Sequence, residues 1–406
     1  MSIVPADNVW ILTATALVFL MSIPGLALFY SGLSKGKSML NTIMMVMVAF
    51  CVVSILWIVY GYSLTFGNDI GGFIGSLQYI FLSGINPADP APASDNLYHY
   101  LFIFFQMTFA AITVALMAGA FIERMKFTAW ILISVLWATV VYFPVAHWIW
   151  GGGWLSQLGT LDFAGGIVVH ETCGIGALVG AILLGVRKEN VMKPANLPLV
   201  AVGTGLLWFG WFGFNGGSAL GMNSVAISAA FVTTIAALTG GLTWMFAEWI
   251  LFKKPTSLGL FTGFIAGLAT ITPAAGFVDV FASVIIGFLG GIVCFVAVVY
   301  VKNKFKYDDS LDVFGVHGVG GMLGTILLAI LAKPAVGEVA GLLYGSGSQL
   351  IPQIVGVIAV GIYTAVATFI IFKIADMVTG LRISKDEEQQ GIDEIIHGEK
   401  AYNEIL

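Results

Sequence analysis

Apolar residues run along this 406-residue chain in long blocks, separated by short polar breaks in which the charged residues gather. Blocks long enough to cross a ~30 Å hydrocarbon core, about 20 residues each, fall near 8–33, 39–66, 98–122, 127–150, 163–186 and 196–217. They continue near 224–252, 258–275, 279–301, 312–332 and 350–381, which predicts eleven transmembrane helices. Lipid-exposed backbone must satisfy its own hydrogen bonds, so the expected class is an all-α polytopic membrane protein.

The breaks alternate in charge. Lys35 and Lys37, Arg124 and Lys126, Arg187 with Lys188 and Lys193, Lys253 and Lys254, Lys302 with Lys304 and Lys306, and Arg382 with Lys385 all follow odd-numbered blocks. The even-numbered breaks hold only Lys333. Excess Lys and Arg mark the cytoplasmic side. The N-terminus is therefore expected outside and the C-terminus in the cytoplasm.

Five is an odd number of spans, so a second set of five would have inverted topology, with a site between the halves near the midplane. The predicted repeats cover about 8–186 and 196–332, followed by a long eleventh helix at about 350–383. Residues 1–383 then form a membrane domain, and the charged stretch 384–406 a cytoplasmic regulatory tail. The Gly-, Pro- and Asp-containing stretch 67–97 is expected to form an ordered outer cap. Before the first block no basic residue marks a cleavable signal, so that block reads as the first span.

Composition agrees. The chain is 59% hydrophobic and 10% charged, far from the roughly one-quarter charge of soluble domains. Fifty glycines point to close helix packing through small residues. Cys51, Cys173 and Cys294 lie in apolar blocks without paired or metal-ligand spacing, no basic patch suits nucleic acid, and neither metal nor cofactor is expected.

The candidate chemistry is concentrated in two matching stretches, Val169-His170 with Gly174 and Val316-His317 with Gly321. An ionisable group inside a membrane span is costly and marks a site by default, although a lone histidine is as readily a satisfied helix–helix contact. Two in matching halves favour one site, where neutral imidazoles pass a small hydrogen-bonding solute along. Phe105, Phe109, Trp150, Trp211, Phe214 and Ser218 supply aromatic faces and a hydroxyl. They suit either interfacial anchoring or cation–π capture of a small cation. Asp162 opens the fifth span and Asp312 the tenth, each as a cap, with a charge-stabilising role open to Asp162. Glu171 stands about 100° around the helix from His170 and need not share its cavity. Glu248, near Lys253 and Lys254, reads as structural.

At these residues the chain resembles the ammonium transporter family (Amt/Mep/Rh), in its prokaryotic Amt branch. The resemblance rests on Pro24 to Gly32, Trp150 to Gly153, Asp162 to Gly166, Gly210 to Ser218, and Asp312 to Gly318, and on the tail's Gly391-Ile-Asp393, His397-Gly398-Glu399 and Tyr402. It implies a homotrimer in the cytoplasmic membrane, each subunit with its own pore. Phe105, Phe109, Trp150 and Ser218 then resemble the outer ammonium site, and Phe109 with Phe214 the gate below it. His170 and His317 are similar to the twin-histidine pair, and Asp162 to the carboxylate needed for ammonium conduction. The resemblance implies ammonium or ammonia as substrate, methylammonium as its analogue, and no enzymatic activity. Asp393, His397, Gly398 and Tyr402 match a tail that couples subunits where a P-II-type nitrogen regulator would dock. Glu171 departs from the family's apolar or small residue, and facing the pore it would add a negative charge beside His170. The remaining readings are a poorly conducting ammonium sensor, a Rhesus-type gas channel, and a bis-histidine haem electron-transfer protein.

Overall fold

A computed structural model describes residues 3–188 and 193–402. Residues 1–2 of the expected membrane domain, 189–192 between its halves and 403–406 of the expected tail lie outside the described residues.

The apolar blocks form helices, which satisfy backbone hydrogen bonds internally where no water is available. In order these are α1 (Pro5–Leu33), α2 (Met39–Phe66), α3 (His99–Phe121), α4 (Phe127–Leu158), α5 (Gly166–Leu184) and α6 (Leu197–Gly217). There follow α7 (Ser224–Phe252), α8 (Ser257–Ile271), α9 (Val280–Phe305), α10 (Phe314–Leu331) and α11 (Leu350–Thr379). Ten are long and apolar enough to cross a membrane. The exception is α8, whose 15 residues rise only about 22 Å. The expected block at 258–275 is therefore shorter as a helix. Its C-terminus meets Pro273, which cannot donate to the helical ladder, and the chain turns through buried residues instead.

Contacts between helices repeat across the two halves. α2 packs on α3 as α7 packs on α8, and α3 packs on α5 as α8 packs on α10. α1 lies on α6, α5 crosses α10, and α11 covers α4 and α5 from one side. Widened π-helical turns recur at matching places, Ala138–Tyr142 in α4 and Ala297–Val301 in α9, then Gly166–Glu171 and Phe314–Gly318 at the starts of α5 and α10. The halves also interlock. Phe163 N–H, leading into α5, donates to Pro273 O at the end of α8, and Leu311 N–H, leading into α10, donates to Gly119 O near the end of α3, both at 3.1 Å.

Small residues set the central crossing. A Cβ on Gly174 would fall within the van der Waals envelope of the Gly318 backbone, and one on Gly321 would strike Gly166 O and the His170 side chain. This is the close approach that small residues permit between membrane helices. At one end of the helices, stretch 67–97 forms two short hairpins, Asp69–Ile70 with Ile74–Gly75 and Pro90–Ala91 with Ser94–Tyr98.

At the other end a buried ionic cluster ties the halves together. Arg187 grips Asp308 with Nε to Oδ2 and Nη2 to Oδ1, both 2.9 Å, and reaches Glu123 at 3.0 Å. Burial would raise the Asp308 carboxyl, but its bonds to Arg187 and the nearby Arg124 charge bring it below the usual carboxylate range. The tail then folds back on this face. Asp393 accepts from Asn41 N–H at 2.8 Å and Leu40 N–H at 3.0 Å, capping α2 from more than 350 residues away. His397 meets Asn41 Oδ1 at 3.1 Å, Tyr402 OH accepts from Asn196 at 2.9 Å, and Gly398 takes a positive φ of 68° that glycine accepts without strain.

Gly174→Val should destabilise the protein by about 1–3 kcal/mol or more through overpacking at the α5–α10 crossing. Thermal aggregation of the purified variant followed by size exclusion checks this, and Gly205→Val, where a Cβ meets open space, is the control expected to melt like the parent.

Candidate functional site

The start of α5 is organised by Asp162. Its Oδ1 accepts from Gly165 and Gly166 N–H at 2.9 and 2.6 Å, and its Oδ2 from Ile167 and Val168 N–H at 2.8 and 3.0 Å. Four of the helix's free N–H groups thus converge on one carboxylate that is only 7% exposed. Trp150 Nε1–H donates to Asp162 O at 2.8 Å, which hangs the indole over the same turn.

The second half repeats this with a different residue from the one the sequence suggested. Asp309, not Asp312, accepts from Phe314 N–H, at 2.7 Å through Oδ2. Asp309 stands eight residues before His317, the separation of Asp162 from His170, so the two histidines lie equally deep below their caps. Asp312 instead takes a left-handed φ of 61° and pairs with Lys302 at 2.6 Å. A cap at Asp312, only five residues before His317, would leave that ring shallower than His170, whereas Asp309 matches the two depths.

The imidazoles meet Nδ1 to Nδ1 at 3.2 Å, with centroids 5.1 Å apart and planes inclined by 26°. One shared hydrogen bond requires one Nδ1 to donate and the other to accept. No gap for a macrocycle separates them, so the bis-histidine haem arrangement does not fit. Both rings are buried.

Above the pair, Phe109 and Phe214 stack at 4.2 Å. His170 stacks under Phe214 at 6.0 Å and beside Trp211 at 5.6 Å. Trp211 was read only as a possible cage aromatic; its Nε1–H donates to Thr272 Oγ1 at 3.0 Å, which turns the indole face toward the histidine. The space lined by Phe214, Trp211, His170, His317, Ile112 and Leu207 is about 10 Å³, the lower bound for a single water. The segment below the stacked phenyl rings is narrow and apolar.

Outside the rings, a vestibule of about 380 Å³ is lined by Phe109, Trp150, Asp162, Ser218 and Gln106 among others. Trp150 stands edge-on to Phe109 at 5.9 Å. Ser218 Oγ donates to Phe214 O at 2.8 Å, leaving its lone pairs available to an incoming donor. Phe105 does not line this space. It lies buried behind Phe109 at 4.9 Å and packs on Gly217, bracing the Phe109 ring. Gln106, which the sequence did not single out, also lines this space, and its offset of three from Phe109 on one helix was the available signal. On the far side of His317 lies a second narrow cavity, lined by Phe29, Thr262, Asp312 and Val316.

Glu171 turns away from this path. A Cβ built on Gly361 of α11 would lie 3.2 Å from Glu171 Oε1, so the carboxylate occupies the α5–α11 contact. Glu248 accepts from Thr256 Oγ1 at 2.7 Å, a structural bond at the α7–α8 turn.

The vestibule's aromatic faces suit a small cation, while the narrow segment beyond suits a neutral solute with hydrogen-bonding capacity. The sequence pattern of the Ammonium Transporter Family matches residues 9–402. An ammonium transporter of Aquifex aeolicus is 52% identical over 401 residues, covering 98% of this chain and 93% of that protein. The crystal structure of Saccharomyces cerevisiae Mep2 superposes with a TM-score of 0.88 at 38% identity, over 95% of this chain and 91% of that one. A sensor Amt protein superposes with a TM-score of 0.89 at 30% identity, over 97% and 98% of the two chains.

Asp309→Ala should destabilise by about 1–2 kcal/mol, as for loss of a strong N-cap. Asp312→Ala, which removes an ion pair whose side chains are 21% and 18% exposed, should cost less than the loss of that cap. Thermal melting of the two variants checks the ranking, and the reverse order would return the capping role to Asp312.

Proposed function

The chain belongs to the ammonium transporter family, and from that premise we propose that it recruits ammonium in the outer vestibule and conducts it as ammonia past the twin histidines. The observation that carries this reading is the change of environment at the Phe109–Phe214 stack, from a vestibule of about 380 Å³ to a segment of about 10 Å³. A charge at the bilayer centre costs at least ~2.5–3.5 kcal/mol, and neutral ammonia avoids that cost.

Roles follow from position. Trp150 and Phe109 offer ring faces and Ser218 a hydroxyl acceptor, so the cation exchanges part of its hydration shell for fixed partners. Asp162 holds the turn beneath the site, and its negative charge favours a cation above it while its four N–H donors keep it in place. Deprotonation occurs at the phenyl stack. The imidazoles then give ammonia a line of donors and acceptors without adding charge. Potassium, having no proton to lose, stops at the same point.

The N-terminus lies outside and the C-terminus in the cytoplasm of the cell membrane, in line with the Lys and Arg pattern. The family resemblance supplies the homotrimer and a P-II-type regulator at the cytoplasmic face. The tail's contacts through Asp393, His397 and Tyr402 support regulation there, since each links it to a loop or helix start of the membrane domain. Sensing is the second reading, favoured by the likeness to a sensor Amt protein.

Uptake of labelled methylammonium by cells lacking their own ammonium transporters tests the function. The parent should accumulate label, and absence of uptake from folded membrane protein would favour the sensor. Trp150→Leu with Ser218→Ala should raise the half-saturating concentration by roughly 3–30-fold, the span of a desolvated cation–π contact. Unchanged saturation would remove these residues from recognition.

A further inference from the structure

Between α4 and α5 the chain passes through the protein without helical bonds, so its peptide groups need partners from elsewhere. Thr160 N–H donates to Leu155 O at 2.9 Å, and Phe163 N–H to Pro273 O at 3.1 Å. The peptide groups of Leu161, which lie between these ties, are met by one side chain. Leu161 N–H donates to Gln353 Oε1, and Gln353 Nε2–H donates to Leu161 O, both at 2.7 Å. Gln353 stands in the first turn of α11 and is fully buried. Its amide pairs with Leu161 as a neighbouring strand would, and no other group among the described residues meets either Leu161 atom. α11 is fitted to the same turn at two further points. Pro352 O accepts from Thr160 Oγ1 at 3.0 Å, and a Cβ on Gly356 would lie 2.8 Å from Thr160 Cγ2.

This turn is a wall of the vestibule. Thr160, Leu161, Asp162 and Phe163 line that space, whereas Gln353 stands behind them. The turn also carries a recognition ring, because Trp150 Nε1–H donates at 2.8 Å to Asp162 O, the next carbonyl after Leu161. Resting on the function proposed above, we infer that Gln353 is a positioning residue for ammonium recruitment. From α11 it fixes the Leu161–Asp162 peptide, and through that peptide the plane in which Trp150 offers its ring to the cation. A cation–π contact weakens as the ring turns its face away, so freedom in this peptide costs binding in the vestibule. Conduction below the phenyl stack does not depend on it. The Asp162 carboxylate keeps its four N–H donors from the start of α5 without Gln353, so the depth of His170 is held independently. Packing alone does not call for the amide, since a leucine of similar size would fill the site without placing a polar group among apolar helices.

The test is the concentration dependence of labelled methylammonium uptake by the full-length protein in proteoliposomes, normalised to folded protein. Gln353→Leu should raise the half-saturating concentration about 3–10-fold and leave the maximal rate within about twofold of the parent. In a Trp150→Leu background the same substitution should change half-saturation by less than about 1.5-fold, because Gln353 acts through that ring. Gly356→Ala, which pushes Thr160 from α11 and alters no polar group, should show the same split, and it decides the matter should Gln353→Leu not fold. Parental half-saturation in these variants overturns the inference. So does a rise that persists in full without Trp150, or a fall in maximal rate alone. A parent that takes up no label overturns the proposed function instead.

Discussion

Glycines at positions 174, 318 and 321 let α5 and α10 meet backbone to backbone, and the two imidazoles owe their 3.2 Å approach to that crossing. Everything else in the centre of the molecule serves to keep it in register. Each helix is entered through a loop pinned to the other half, Phe163 to Pro273 and Leu311 to Gly119. Each is capped by an aspartate eight residues before its histidine. A shift of one turn, about 5.4 Å, in either helix would part the rings completely. Buried, partnered caps and interlocked loops are what make such a shift expensive.

Three buried acids, in α5 and in the loops that enter α5 and α10, are handled differently. Asp162 is saturated by four backbone donors, Asp309 holds the matching place beside the Arg187–Asp308 cluster, and Glu171 has no partner among the described residues. In a medium that penalises charge, backbone donors gathered on a carboxylate let it serve as a fixed helix cap. The same logic separates the vestibule, where rings and a hydroxyl can replace water around a cation, from the dry segment below it.

Much of this was legible in the residues. Hydropathy marked the eleven blocks that become helices, because of the cost of placing charge and bare backbone in lipid. α8 was read too long, since the hydropathy of its C-terminal end continues while Pro273 ends the helix. His170 and His317 were visible as costly polar groups in matching stretches. Asp309 was missed although its spacing to His317 was on view, because Asp312 lies nearer the apolar run and looks like the cap. Phe105 was placed in the vestibule and instead braces Phe109 from behind, a distinction of side-chain direction that helical spacing cannot make. Glu171 was assigned no face, and the α5–α11 contact supplied it.

On the function proposed, the segment between the Phe109–Phe214 stack and His317 passes only a neutral molecule. Ammonium transport by the purified protein in proteoliposomes, measured with potassium in ~100-fold excess and with potassium alone, tests it most directly. Ammonium transport should persist nearly unchanged, and potassium alone should give no current. A potassium current comparable to that of ammonium would contradict it.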